Sequence, residues 1–177
     1  GVGFETTAPA TAAAVLQARA LGVRNFSLLG LHKLVPPALR FLLGQGKPGG
    51  PDGIDAFLLP GHVATVLGLG PFSFLAREFG KNSVVGGFEP ADILQSLLML
   101  VEAAAGLEAA GLNQYKRAVA PGGNPRARAV MEQVFAPADA LWRGLGRIPQ
   151  SGLELRAEYA DFDARLIFGL PAPNQGE

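Results

Sequence analysis

The sequence predicts an α/β fold, a parallel sheet flanked by helices in three Rossmann-like layers, followed by a smaller α+β segment. Short apolar runs alternate with longer helical patterns, which is how successive βαβ units are written. The 24 glycines and 14 prolines among 177 residues supply the many turns such a fold needs. With 49% apolar and 17% charged residues, the chain can bury a core and is not disordered.

Taken in order, a strand ends near Phe4, and Thr7 is placed to cap a helix that runs to Leu21 and closes at Gly22. Residues 23–29 read as a second strand. Pro36 and Pro37 fit a first helical turn continued by residues 38–43, before a Gly-Pro loop over 44–53. Residues 54–59 form the third predicted strand, and a Pro60-Gly61 turn leads to a helix over 62–67 and a short one over 72–79. Residues 83–88 are the fourth strand. The longest helix, 90–111, is apolar on most sides at Ile93, Leu94, Leu97, Leu98, Leu100 and Val101, and is expected to be packed on both flanks against the sheet. Beyond it, residues 113–119 read as a strand, 124–135 as a helix and 142–155 as two short strands around 149–152. This divides the chain into an α/β lobe over 1–112, a second α/β segment over 113–168 that packs on or completes a neighbouring lobe, and a linker or frayed end over 169–177.

Several functions are disfavoured at once. Fifteen basic against fifteen acidic side chains leave no electrostatic footprint for nucleic acid. Residues 91–112, the most apolar stretch, are interrupted by Asp92, Gln95, Glu102 and Glu108, so no membrane span is expected. The first residues carry no signal-peptide pattern, and a cytoplasmic setting is the expectation. The chain has no cysteine, which removes disulfides, thiolate nucleophiles and thiolate-held clusters. It opens on Gly1-Val2-Gly3-Phe4, which reads like the end of a strand, so a fragment is expected at both ends.

In an open α/β sheet, ligands bind beyond the carboxyl ends of the strands. Each predicted strand delivers an ionisable residue there: Glu5, His32, His62 and Glu89, the two histidines being the only ones in the chain. Such a set suits a divalent metal site or an acid/base pair. The competing reading is structural, because Glu5 and Glu89 each precede a helix whose dipole favours a carboxylate. His32 also reads as an ordinary loop residue, and His62 as a surface histidine. The glycines of Gly86-Gly87 and Gly122-Gly123 match no phosphate-binding spacing and are read as turns. Trp142 and Arg143 suit either a partner surface or, for the tryptophan, core packing.

The ordered set Gly3-Phe4-Glu5-Thr6-Thr7-Ala8-Pro9, His32-Lys33-Leu34-Val35-Pro36-Pro37, Pro60-Gly61-His62-Val63 and Gly87-Phe88-Glu89-Pro90 with Asp92-Ile93-Leu94 resembles the HypD family of hydrogenase maturation factors. Asn113-Gln114-Tyr115 with Arg117, Gly123-Asn124, Val134-Phe135, Trp142 to Gly146 and Phe162-Asp163-Ala164 extend the resemblance to residues 1–168. It implies a scaffold, more than a turnover enzyme, that carries iron while the cyanide and carbon monoxide ligands of the [NiFe] hydrogenase centre are installed. It further implies work with a HypC-type chaperone and a HypE-type cyanide donor, and a [4Fe-4S] cluster.

The family's cysteines lie in a Cys-Gly-x-His motif and a cysteine-rich tail, neither of which is present, so the fragment is expected to be inactive alone. Carried over by motif position, His62 is assigned to hydrogen bonding or proton transfer near iron. Glu5 and Glu89 are assigned to positioning, Thr6 and Thr7 to donor contacts, and Pro9, Pro90 and His32 to the cleft. No metal ligand is assigned. The alternatives are a metal-dependent or acid/base enzyme using Glu5, His32, His62 and Glu89, or a partner-binding module using Trp142 and Arg143. A sheet cut from its neighbours is also expected to leave apolar surface exposed.

Overall fold

The computed structural model describes residues 1–44, 53–107 and 111–171. Its elements, in chain order, are β1 (Val2–Gly3), α1 (Ala8–Ala20), β2 (Leu31–His32), α2 (Val35–Gly44), β3 (Ala56–Pro60), α3 (Gly61–Leu67), α4 (Phe74–Arg77) and β4 (Asn82–Gly86). They continue with α5 (Pro90–Ala104), β5 (Leu112–Asn113), α6 (Pro125–Val134), β6 (Phe135–Trp142), β7 (Gly146–Leu155) and α7 (Ala164–Phe168). The fold is the predicted mixture of parallel strands, flanking helices and an added antiparallel pair.

Backbone contacts divide the chain into two compact units, one formed by residues 1–38 with 126–177 and the other by 39–125. The sequence reading placed one boundary after residue 112; the chain instead leaves the first unit after residue 38 and returns to it at 126. The predicted single sheet is also two. β1 pairs only with β2, and β3, β4 and β5 form a separate parallel sheet in that order.

In the first unit, β1 and β2 pair in parallel with Gly3 opposite His32. Helix α1 buries Ala8, Ala12, Val15 and Ala18, a stripe of three- and four-residue steps made of small side chains that allow close approach. The predicted strand over 23–29 is absent. That segment is irregular, and its one pairing is an isolated bridge from Leu28 to Asp163. β6 and β7 form a long antiparallel hairpin, turning at 143–145 and bulged between Ala138 and Ala140, where two short strands around 149–152 had been expected. Two left-handed glycines, Gly144 and Gly146, make the turn there. Leu34 N–H donates to the Ser151 carbonyl at 2.8 Å and Lys33 bridges Gly152, joining the small sheet to the hairpin. Phe135, Ile148, Val134 and Tyr159 fill the core between them.

In the second unit, the five residues of β3 run in full register with β4, Pro60 opposite Gly86, and β5 adds Asn113 opposite Val85. The expected strand over 113–119 stops at Asn113, because Tyr115 opens a turn whose carbonyl accepts Ala118 and Val119 N–H. Leu59, Val84, Val85, Val63, Phe72 and Leu75 are buried about this sheet. Helix α5 lies on β4 and β3 through Asp92, Ser96 and Ala103. It is not packed on both flanks. Ile93, Leu94, Leu97, Leu98 and Val101 are exposed, Leu94 to 69% and Val101 to 66%, because the residues that meet the sheet are the small and polar ones. Apolar surface was the expectation for this chain, and this helix carries much of it. The helix predicted to reach 111 ends at Ala104, where a turn follows with Gly106 in the left-handed region; the loop predicted over 44–53 and the frayed end from 169 fall largely outside the described residues.

Leu75 and Leu94 make the packing testable. Leu75→Ala empties a fully buried site and lowers unfolding free energy by about 2–5 kcal/mol, whereas Leu94→Ala on the open face of α5 changes it by less than about 0.5 kcal/mol. Denaturant unfolding of the two variants distinguishes this arrangement from one in which α5 is enclosed.

Candidate functional site

The second unit gathers side chains at the carboxyl ends of its three strands. Pro60 ends β3 and α3 begins at once, so His62 sits in the first helical turn, exposed. No side chain fits at Gly61, since a Cβ there would lie 2.3 Å from the Gly86 carbonyl oxygen and 2.7 Å from the Tyr115 ring. Phe88 follows β4, 52% exposed, and its ring lies 4.0 Å from that of His62 at an interplanar angle of 34°. Tyr115, from the loop after β5, completes the group at 6.4 Å from both rings. An imidazole is thus held against two aromatic rings with one face of the cluster open.

Asp92, buried in the first turn of α5, fixes the loops that present these rings. Its two oxygens accept from Arg117 Nη1 and Nη2 at 2.7 and 2.5 Å, and Oδ1 also accepts from Gln114 Nε2 at 3.0 Å. Gln114 Oε1 in turn accepts Gly87 N–H at 3.1 Å, and Asp92 Oδ2 faces Glu89 N–H at 3.4 Å. The Arg117 guanidinium, which also lies 4.6 Å over the Tyr115 ring, holds the Asp92 carboxyl well below the usual carboxylate range, with Gln114 assisting. Glu89 caps α5 with extended backbone and is exposed, and Pro90 follows at the first helical position, also exposed. Asp92, Gln114, Tyr115 and Arg117 were quoted in the sequence resemblance without a role. The signal that could have found them is the three-residue spacing from Glu89 to Asp92, the spacing of a capping box.

In the first unit the site residues are mostly enclosed. Glu5 is fully buried between β1 and α1; Oε1 accepts Val35 N–H at 2.7 Å, and Oε2 has no partner among the described residues. Burial pushes its carboxyl up to about 7. His32, 1% exposed, packs its ring 5.6 Å from that of Phe135, and its Nε2 lies 3.3 Å from the Thr11 hydroxyl. Burial makes it harder to protonate than a free histidine. Thr7 precedes α1 and spends its hydroxyl on the carbonyls of Phe4 at 3.1 Å and Val2 at 3.3 Å. Thr6 is exposed, and Pro9 stands in the first turn of α1. Trp142 donates to the Ser151 hydroxyl at 2.8 Å and stacks at 6.1 Å on Phe4, while Arg143 is exposed in the hairpin turn.

The four residues expected at one sheet edge therefore belong to two sheets, Glu5 and His32 with β1 and β2, His62 and Glu89 with β3 and β4. Among the described residues no group of three or more His, Cys, Asp or Glu is arranged to hold a metal ion, and no helix is long and apolar enough to cross a membrane.

Comparison with known proteins points one way. The family model described as "HypD: Hydrogenase formation hypA family" matches residues 1–177. The hydrogenase maturation factor HypD of Escherichia coli (strain K12) is 45% identical over 177 residues, covering 99% of this chain and 46% of that protein. The hydrogenase expression/formation protein HupD of Azotobacter chroococcum mcd 1 is 42% identical over 171 residues, covering 96% of this chain and 45% of its own. A putative hydrogenase expression/formation protein of Methanocaldococcus jannaschii is 40% identical over 162 residues, covering 92% and 44%. The chain thus spans a little under half the length of these relatives.

Two outcomes test this geometry. Glu5 titrates near 4.5 when unfolded and near 7 when folded, so between those values the native state holds a proton the unfolded chain has lost. Stability falls by about 3 kcal/mol as pH rises through that window and levels off above it. Glu5→Gln removes most of that slope in urea titrations from pH 4 to 8. At the other unit, a Cβ at Gly87 would stand 2.1 Å from Asp92 Oδ2. Gly87→Ala therefore destabilises by about 1–3 kcal/mol and disturbs the Arg117 and Gln114 side-chain signals in NMR spectra.

Proposed function

The chain belongs to the HypD hydrogenase-formation family, and we propose that it serves hydrogenase maturation as part of a scaffold on which the iron centre of a [NiFe] hydrogenase receives its cyanide and carbon monoxide ligands. The observation that carries this reading is the family match along the whole chain, at 45% identity to a maturation factor. Its setting is the cytoplasm, its partners a HypC-type chaperone and a HypE-type cyanide donor, and the iron fragment is its cargo.

The residues present suit the polar half of such a task. An iron atom bearing cyanide presents anionic ligands that call for N–H donors and cations, and soft thiolates that bind the metal itself. His62 offers a ring nitrogen in an exposed aromatic setting, and we assign it hydrogen bonding or proton transfer beside the cargo. Glu89 and Pro90 shape the neighbouring turn; Glu5, Thr6, Thr7, Pro9 and His32 order the β1–α1 segment in the other unit; Trp142 and Arg143 offer a surface for a partner. A thiolate-held [4Fe-4S] cluster does not fit these 177 residues, which include no cysteine, and no step is routed through one. Nothing in the geometry favours a free-standing acid/base or metal enzyme.

His62→Ala, introduced into the gene that encodes this chain and read in a host deprived of its own factor, lowers hydrogenase activity about a hundredfold or more if the imidazole moves a proton. The exposed position of His62 leaves the thermal midpoint nearly unchanged. Full hydrogenase activity in that variant refutes the assigned role.

A further inference from the structure

We propose that the first unit carries an oxyanion site, a cavity of about 290 Å³ lined by Lys33, Arg147 and Arg165, sized for a phosphate or a carboxylate group. The volume lies at the small end of ligand cavities, which suits an ion or a headgroup and not an extended molecule.

The charges in this cavity are unevenly satisfied. Lys33 Nζ donates to the Leu141 carbonyl at 2.7 Å, a neutral partner that leaves the positive charge standing. Among the described residues, neither Lys33 nor Arg165 has a carboxylate within ion-pair distance. Beyond the effect of burial, the charge of Arg165 makes Lys33 easier to deprotonate, as expected for two cations that face each other without an anion between them. The lining carboxylates do not supply that anion. Asp139 is engaged by Arg147 at 3.8 Å and by Gln150 N–H at 3.1 Å, and Glu154 is exposed to solvent.

His32 lines the cavity without supplying a donor to it. His32 is 1% exposed, its Nε2 is engaged by Thr11, and its Nδ1 has no partner among the described residues. The Thr11 hydroxyl gives its one proton to the Thr7 carbonyl at 3.1 Å, so the neutral ring donates from Nε2 to that hydroxyl and its Nδ1 is an acceptor with nothing to give an anion. Two cations without a carboxylate partner on the wall of one small cavity are the components of an anion-binding pocket. This site is separate from the His62 cluster and does not depend on the maturation reading.

The test titrates the 177-residue chain separately with inorganic phosphate and with acetate, followed by calorimetry and by amide shifts of Lys33, Gly152 and Arg165. Saturable binding of at least one anion is expected, with Lys33→Met and Arg165→Met each weakening it about tenfold or more. Arg24→Met, an exposed cation outside the cavity, leaves it unchanged. Tighter binding of phosphate identifies a tetrahedral ligand, and tighter binding of acetate a carboxylate. Lys33→Gln and Arg165→Gln replace either methionine variant that fails to fold. Absence of saturable binding, equal affinity in the Lys33 and Arg165 variants, or equal loss in Arg24→Met overturns the proposal.

Discussion

The arrangement of the second unit rests on the carboxylate of Asp92. It stands at the N-terminus of α5, where the helix dipole already favours a negative charge, and it receives a bidentate arginine together with a glutamine amide from the loop after β5. That loop has little regular structure of its own, since β5 is two residues long. The ion pair therefore substitutes for the sheet hydrogen bonds that β5 does not extend far enough to make. Remove the carboxylate and the loop loses its anchor, Tyr115 its fixed ring, and Gly87 the glutamine oxygen that holds its N–H. The absence of side chains at Gly61 and Gly87 serves the same end, because each lets backbone or carboxylate approach to a distance a Cβ would forbid.

The first unit solves a different problem and solves it less completely. Glu5 and His32 are both sealed from water, and each keeps one polar atom without a partner among the described residues. Unsatisfied buried groups are uncommon in folded proteins because each costs desolvation that no hydrogen bond returns. Glu5 reduces that cost by retaining its proton to about pH 7; His32 does so by remaining neutral. A stability-driven sequence would place apolar side chains at both positions. Their presence marks the β1–α1 and β2–α2 segments as shaped by something other than packing.

Much of the fold was legible because its helices and long strands carry strong periodic signals. α1, with Thr7 before it and Gly22 after, and β3 with β4, each a run of apolar residues ended by Gly or Pro, were read within a few positions. The misreadings share a cause. Residues 23–29 carry Val23, Phe26, Leu28 and Leu29, and residues 113–119 set Tyr115 and Val119 among polar neighbours, yet both backbones are irregular over nearly their whole length, and composition cannot reveal whether a pairing partner lies alongside. In α5 the pattern correctly showed an apolar face but not what covers it, since Leu94 and Val101 would look the same enclosed or open. The site was legible residue by residue and not as a constellation. Local spacing showed each ionisable group at a strand end, while the division into two sheets is a matter of long-range pairing.

The echo of Gly3-Phe4-Glu5 in Gly87-Phe88-Glu89 shows how one local pattern serves two purposes. Each tripeptide lies at the carboxyl end of a parallel strand, Gly3 closing β1 and Gly87 following β4, and leads into a helix with proline in its first turn, Pro9 in α1 and Pro90 in α5. Each phenylalanine remains substantially exposed and rests on another ring, Phe4 on Trp142 and Phe88 on His62. The glutamates part company: Glu5 turns into the core and meets the backbone of Val35, while Glu89 stays in solvent as the cap of α5. The difference follows from what else occupies the helix start. At α5, Asp92 has already taken the buried position and neutralised it with Arg117, so a second buried carboxylate would meet a like charge. At α1 the first turn contains no acid, and the buried place falls to Glu5 itself. The strand-to-helix turn thus admits one enclosed carboxylate at each site, and whether that carboxylate is paired with a cation decides whether it is ionised near neutral pH.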